Sequence, residues 1–101
     1  MNVIFQRRAI REYHAAIRRY DRISARLGDR LVSAMDVAVR RIAADPTSLA
    51  QVLGPFRQIR IKGFPYALFF SLLDVETVGV IAVAHTSRRS GYWRQRRFDT
   101  K

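Results

Sequence analysis

The sequence contains no cysteine, only two histidines and only eight acidic residues among its 101 positions. Without cysteine the chain forms neither a disulfide framework nor a thiolate metal site. His14 and His85 alone are too few for a histidine-based metal cluster. A glycine-rich phosphate loop and a credible Ser-His-Asp spacing are missing as well. The sequence therefore predicts a protein that uses no metal and no cofactor.

Long hydrophobic runs are also missing. The longest, from Phe64 to Leu73, is interrupted by Pro65 and Ser71 and is far shorter than the roughly 20 residues that span a bilayer. Near the N-terminus the apolar residues come before the first arginines, which reverses the order found in a signal peptide. We therefore expect a cytoplasmic protein with no membrane partner.

Positive charge is what the sequence has in excess. Its 19 basic residues give a formal net charge of +11, while hydrophobic residues make up 49% of the chain. The length fits a single domain over residues 1–101, and the hydrophobic content is sufficient for a buried core. Residues 1–30 hold eight basic and three acidic side chains, and residues 85–101 hold six and one. Because this charge destabilises a compact chain by self-repulsion, we expect a polyanionic partner: a nucleic acid, a nucleic-acid machine or an acidic protein.

Apolar periodicity predicts a helical hairpin in the first half of the chain. Residues 2–6 have the β-branched and aromatic composition of a short strand. From Ala9 onward, apolar residues recur every three or four positions, which predicts a helix of about four turns. Ser24 is a suitable N-cap for a second helix, which we expect to end at Asp45 because a proline follows. Residues 46–55 are predicted to form a connector.

The second half has the period of two that is typical of strands. Three strands are predicted, over residues 57–62, 66–73 and 78–85. The middle strand is apolar on both faces and is therefore expected at the centre of the sheet, and Arg60 and Lys62 share one face of the first. Residues 86–101 form a basic-aromatic tail, and the order of residues 94–101 is left open. The predicted fold class is α+β, with two layers: a strand, two helices and an antiparallel three-strand meander. The helical hairpin covers one sheet face and leaves the other face or an edge open to a partner.

Three stretches of the chain carry a family resemblance. They are Ala43–Pro46, Ile59–Tyr66 with its Phe-Pro-Tyr turn, and Val83–Trp93 with its His, Arg-Arg and Tyr-Trp residues. Together with the opening strand and its arginine-rich helix, they resemble the RelE/ParE superfamily of bacterial type II toxins, nearest to the ParE-like, plasmid-stabilisation branch. The resemblance implies a RelE/ParE-like fold and a growth-arresting toxin. It also implies that a cognate acidic antitoxin neutralises the toxin in a toxin–antitoxin hetero-oligomer.

The resemblance implies two alternative targets. RelE-like members bind the ribosome and cleave mRNA without a metal, whereas ParE-like members inhibit DNA gyrase. Arg60 matches one basic position of the nuclease pattern, but Gln58 and Ala67 stand where further basic residues are expected. Loss of one electrostatic stabiliser typically costs about 100- to 1,000-fold in rate. The sequence therefore favours a non-enzymatic gyrase inhibitor, with a ribosome-dependent mRNA endonuclease as the alternative. A third hypothesis is a decayed toxin that only binds its antitoxin and contributes to operator binding.

The candidate site residues follow from these hypotheses. Target-binding residues are predicted to be Arg60, Lys62, His85, Arg88, Arg89, Tyr92 and Trp93. For a nuclease, the catalytic set would be Arg60, Lys62, His85, Arg88 and Tyr92. The antitoxin is expected to bind the basic face of the first helix, through Arg11, Arg18 and Arg22. Structural roles remain alternatives: His85 as a hydrogen-bonding strand end, Tyr92 and Trp93 folded over the sheet edge, and Glu12 in a helix-surface ion pair with Arg8.

Overall fold

A computed structural model describes residues 1–89 and 91–98. Ser90 of the family-like C-terminal stretch and residues 99–101 of the predicted tail lie outside the described residues. The chain is α+β, as predicted, with two helices packed against a five-stranded mixed sheet. In chain order the elements are β1 (Asn2–Phe5), α1 (Arg7–Asp21), α2 (Ala25–Ala44), a 3₁₀ turn (Pro46–Ser48), β2 (Gln51–Leu53), β3 (Phe56–Arg60), β4 (Tyr66–Leu72) and β5 (Thr77–His85).

Both helices begin at side chains that cap their free backbone N–H groups. The Gln6 side-chain oxygen accepts from the N–H of Arg8, at 2.8 Å, and of Ala9, at 3.3 Å. Ser24 is the N-cap of α2, as predicted, and its hydroxyl accepts from the N–H of Leu27 at 3.1 Å. The second helix ends at Ala44, immediately before the Asp-Pro pair that predicted its end. None of the described helices has the length and apolar character needed to cross a membrane.

The sheet has the strand order β1-β5-β4-β3-β2, so that β4 is the central strand, as its apolar faces predicted. Strands β3, β4 and β5 form the predicted antiparallel meander. The first strand pairs in parallel with the last, from Asn2 opposite Thr77 to Phe5 opposite Val80. This pairing places the first strand of the chain beside the last strand of the sheet.

Two sequence expectations about the β3 region are wrong. The predicted connector 46–55 contains strand β2, which is only three residues long and exposed, so it has no buried alternation to predict it. The predicted strand 57–62 begins at Phe56 and ends at Arg60. Lys62 therefore lies in the turn that leads to Gly63, whose φ of +85° favours glycine. It does not extend the strand beside Arg60.

Apolar side chains cover both faces of the sheet. The first face packs against the helices through β-strand residues such as Leu68, Phe70 and Val80 and through the regularly spaced apolar side chains of α2. On the second face, Ile81 and Ala82 pack against Trp93. The second face is therefore not left fully open, as the sequence had suggested, because the segment of residues 91–98, here called the C-terminal segment, folds across it.

Gly79 of β5 gives the C-terminal segment room to lie on the second face. A Cβ atom at Gly79 would stand 2.4 Å from the ring of Phe98. Such a distance is far below van der Waals contact, so a residue with a side chain at position 79 would clash with the Phe98 ring. Glycine in β5 thus permits the Phe98 ring to rest directly on the backbone of the sheet.

Candidate functional site

A cavity of about 230 Å³ opens on the second sheet face, between the strands and the C-terminal segment. It brings together six of the seven predicted target-binding residues, Arg60, His85, Arg88, Arg89, Tyr92 and Trp93. Lys62, the seventh, does not line it, because β3 ends before that residue. Residues that the sequence placed in separate strands and in the tail thus form one site.

Two alanines on neighbouring strands lie in register at the cavity, beside an arginine on a third strand. Arg60 of β3 lies opposite Ala67 of β4, and Ala67 lies opposite Ala84 of β5. Since alanine ends at Cβ, the two alanines leave depth beside the longer side chains around them. Ala67, where the nuclease pattern would place a basic residue, thus lines the cavity together with Arg60 and Gln58.

Arginine dominates the charge around the cavity. Arg60, Arg88 and Arg89 line it, and no carboxylate does. Within the part of the chain that the structure describes, Arg60 and Arg89 form no ion pair, and the guanidinium of Arg88 is 3.8 Å from the carboxylate of Glu12. Unpaired guanidinium groups beside a concave surface suit a carboxylate or a phosphate. Among residues 1–89 and 91–98, no three His, Asp or Glu side chains converge into a metal site.

His85 is held at the end of β5 by the turn that follows it. Its Nδ1 accepts the backbone N–H of Ser87 at 3.1 Å and lies 2.7 Å from the hydroxyl of the same residue. Because a backbone N–H can only donate, Nδ1 carries no proton in this arrangement, and neutral His85 carries it on Nε2. The imidazole therefore presents a donor through its other nitrogen and has no free lone pair for a general base.

Glu12 does not form the expected surface ion pair with Arg8. Its side chain turns from α1 toward β5 and the C-terminal segment, where Oε1 accepts the N–H of Val83 at 3.0 Å. Both terminal nitrogens of Arg96 donate to the carboxylate, at 2.8 and 2.9 Å, and the hydroxyl of Tyr92 donates to Oε2. Burial raises the pKa of Glu12, but hydrogen bonds from Arg96, Tyr92 and Val83 outweigh it and hold the pKa below its usual value.

Tyr92 is held by two arginines at its ring and by Glu12 at its hydroxyl. The guanidinium of Arg88 lies 3.7 Å from the ring centroid, and that of Arg96 lies 5.0 Å from it. Burial raises the pKa of the Tyr92 phenol, and the hydrogen bond to ionised Glu12 raises it further. The phenol is therefore a weak acid whose proton is already directed at a carboxylate, away from the cavity.

Trp93 forms a wall of the cavity and is itself only 2% exposed. Its ring stacks on Phe69, with centroids 4.6 Å apart, and meets the edge of Phe56 at 4.8 Å. The structure thus gives Trp93 the folded-back position that was the alternative to a target contact. Its burial leaves the cationic and polar rim to meet a partner.

The predicted antitoxin-binding residues lie away from this cavity. Arg18 on α1 and Arg22 at the C-cap of that helix are exposed and line a shallow depression together with Arg19. Arg11 is exposed on the same helix nearer its N-terminus, where it lies close to Phe98 in a second depression. The basic helix surface and the cationic cavity are therefore two separate surfaces of the chain.

Two residues of the site were not found by sequence reasoning. Glu12 was assigned to its nearest basic neighbour on the helix, and Arg96 was counted only as tail charge. The two are separated by 84 positions, so helical spacing carries no signal for their contact. The one available indication was that Glu12 is the only acidic residue before Asp21 in an arginine-rich stretch.

Comparisons with known proteins point in one direction. Residues 3–90 match the family described as the ParE toxin of type II toxin–antitoxin system, parDE. The structure is similar to a solved chain from the chromosomal ParDE TA system of P. aeruginosa, with a TM-score of 0.73 and 12% sequence identity. That match covers 86% of this chain and 97% of the other, and it shows a shared fold. No curated protein sequence matches the chain.

Proposed function

This chain belongs to the ParE toxin family of type II toxin–antitoxin systems, and from that premise we propose that it arrests growth by binding and inhibiting DNA gyrase. The observation that supports inhibition by binding is the state of the groups around the cavity. Among the described residues, Arg60 and Arg89 form no ion pair, while His85 and Tyr92, the two residues best suited to proton transfer, are engaged in internal hydrogen bonds.

Cleavage of RNA by its own 2′-hydroxyl requires a base for that hydroxyl and an acid for the leaving oxygen. His85 has its Nδ1 lone pair occupied by Ser87. Tyr92 donates its proton to Glu12, and its pKa is raised. Gln58 and Ala67 line the cavity where the nuclease pattern would place cations. These four features favour a binding surface over a nuclease site.

A binding surface of this kind suits an acidic or phosphorylated target. Arg60 and Arg89 provide planar donors for carboxylate or phosphate oxygens, and the stacking of Arg88 on Tyr92 reduces the motion that its side chain would lose on binding. A complex of gyrase with DNA presents both kinds of anion. We therefore assign the target to this cavity and its rim.

The antitoxin is proposed to be a cognate acidic protein that binds elsewhere, on the basic face of α1. Arg11 and Arg18 are exposed on α1, and Arg22 is exposed at its C-cap. The resulting toxin–antitoxin hetero-oligomer is proposed to form in the cytoplasm. Charge complementarity between the two proteins favours rapid association.

The test is a DNA supercoiling assay with purified gyrase and the purified full-length chain. We expect inhibition of supercoiling, or accumulation of a trapped cleavage complex. An Arg88→Ala/Arg89→Ala variant should inhibit about tenfold less or worse, since arginine is enriched among the residues that dominate binding energy and a loss of about 1.4 kcal/mol is tenfold in affinity. Arg18→Ala/Arg19→Ala is the matched control, because it removes the same charge from α1. Equal losses of inhibition in the two variants would mean that the target surface does not lie at Arg88 and Arg89. An absence of inhibition by the unaltered chain would refute the gyrase proposal.

Ribosome-dependent mRNA cleavage is the second candidate, because the cavity gathers four of the five residues of the predicted catalytic set. They are Arg60, His85, Arg88 and Tyr92. Primer extension on translated transcripts after induction of the toxin separates the two candidates. Cuts at codons in the ribosomal A site would favour the nuclease, and intact transcripts would exclude it.

A further inference from the structure

Strand β5 is longer than the strand beside it. Its parallel partner β1 ends at Phe5, opposite Val80, and the N–H of Gln6 donates one further bond to the carbonyl oxygen of Val80 at 2.9 Å. From Ile81 to His85, β5 continues without a neighbouring strand on that side among the described residues. A buried strand edge needs other partners for its backbone N–H and C=O groups.

Two side chains supply those partners. Glu12 of α1 accepts the N–H of Val83 at 3.0 Å, and Arg96 of the C-terminal segment donates to the carbonyl oxygen of Ile81 at 3.2 Å. The same two side chains are joined to each other by two short hydrogen bonds. A carboxylate and a guanidinium thus occupy the place that a sixth strand would take along β5.

We propose that Glu12 is the positioning residue of the cationic cavity. By holding Arg96 and Tyr92 at once, it fixes the C-terminal segment against the edge of β5 and sets the rim of the cavity. The Tyr92 ring then places Arg88, whose guanidinium stacks on it at 3.7 Å. Glu12 thereby acts on the site through Tyr92 and Arg88. As far as it concerns target binding, this role rests on the proposed function of the cavity.

Apolar packing alone does not give this positioning. Trp93 and Phe98 hold the C-terminal segment by burial, which is not directional. The Glu12 contacts are directional and largely shielded, since the Glu12 side chain is 16% exposed and that of Arg96 is 10% exposed. Loss of the Glu12 charge would leave the Arg96 guanidinium buried without its counter-charge, which strongly disfavours the docked position.

The test compares Glu12→Gln with Asp36→Asn in the full-length chain. Glutamine keeps the size of Glu12 but replaces one accepting oxygen by an amide donor, so it cannot accept from Tyr92 and both Arg96 nitrogens. Asp36→Asn makes the same change of charge in an exposed pair with Arg40 on α2. Trp93 is the only tryptophan of the chain, so its fluorescence reports docking of the segment directly.

In Glu12→Gln we expect the Trp93 emission to shift to longer wavelength and to become more accessible to acrylamide. Amide exchange at Arg94 and Arg96 should accelerate by about 10- to 100-fold, since a hydrogen bond to a charged acceptor is worth one to two powers of ten. Exchange in the middle of α2 should be unchanged. If Glu12→Gln matches Asp36→Asn at Trp93 and Arg96, the positioning role is overturned. If Glu12→Gln does not fold, Tyr92→Phe, which removes one of the contacts, must show the same changes in smaller degree, and their absence overturns the role as well.

The gyrase assay separates this role from the proposed function. Undocking of the segment together with weaker inhibition by Glu12→Gln supports both. Undocking with full inhibition supports the positioning of the segment and overturns the part of the role that concerns target binding. A wild-type chain that does not inhibit gyrase overturns the proposed function, while the fluorescence and exchange results still decide what Glu12 does.

Discussion

Replacement of Trp93 by alanine should weaken the whole fold, although the residue lies only eight positions from the end of the sequence. Trp93 is 2% exposed and packs between Phe56 and Phe69 on the second sheet face. A buried tryptophan removes about 150–250 Å² from water, which at about 25 cal/mol per Å² corresponds to about 4–6 kcal/mol. Measured aromatic-to-alanine substitutions cost about 3–5 kcal/mol. We expect a loss of about 3–5 kcal/mol in the free energy of unfolding.

Urea denaturation followed by far-ultraviolet circular dichroism measures this loss, because the variant no longer contains a tryptophan. Val75→Ala is the control: Val75 is 91% exposed, and its truncation should change stability by less than about 0.5 kcal/mol. A loss below about 1 kcal/mol in Trp93→Ala would mean that the C-terminal segment contributes little to the fold, and the argument from its packing would fail. If Trp93 served only to bind the target, Trp93→Ala would instead lose inhibition without any change in the free energy of unfolding.

Three further predictions concern pH, capping and salt. Hydrogen bonds depress the pKa of Glu12, so the stabilising contribution of its carboxylate is complete above the usual pKa of 4.5 and is lost as the pH falls through the depressed pKa. The difference in the free energy of unfolding between the unaltered chain and Glu12→Gln should therefore shrink on acidification. A difference that stays constant from pH 7 to pH 3 would contradict this. Ser24→Ala should lower the free energy of unfolding by about 1 kcal/mol in urea denaturation through loss of the α2 cap, whereas no loss would show that the hydroxyl is not a cap in solution. Association with an acidic antitoxin, followed by stopped flow, should slow as salt rises, and a salt-independent rate would argue against electrostatic steering.

Local signals explain which parts of the fold could be predicted. A capping serine, an Asp-Pro stop and an apolar strand between two turns each act within a few residues, so they predicted the second helix and the central position of β4. Strand β2 escaped prediction because its three residues are exposed and held by one neighbour. The alternation of side chains over residues 57–62 is too short to show that the strand ends at Arg60. Lys62 therefore lies outside the strand in which the sequence placed it.

The sequence predicted most of the residues that line the cavity, but it did not predict the contacts that hold them in place. Basic and aromatic residues near the C-terminus predicted a cationic surface, and six of the seven predicted residues line one cavity. Two contacts join distant parts of the chain: Glu12 binds Arg96, and the Phe98 ring packs on Gly79. Such contacts depend on the curvature and register of the whole sheet. No spacing rule within the sequence describes them.

The parallel pairing of β1 with β5 also determines when the sheet can be completed during synthesis. Residues 2–5 are made before the other strands, yet their partners begin at Thr77, so β1 stays unpaired until β5 has been made. The rim of the cavity comes later still, because it includes Arg88 and Tyr92. The residues of the basic helix α1 are therefore synthesised before several of those that line the cavity. An antitoxin that binds α1, as proposed, would have its binding residues available before the proposed target surface is complete.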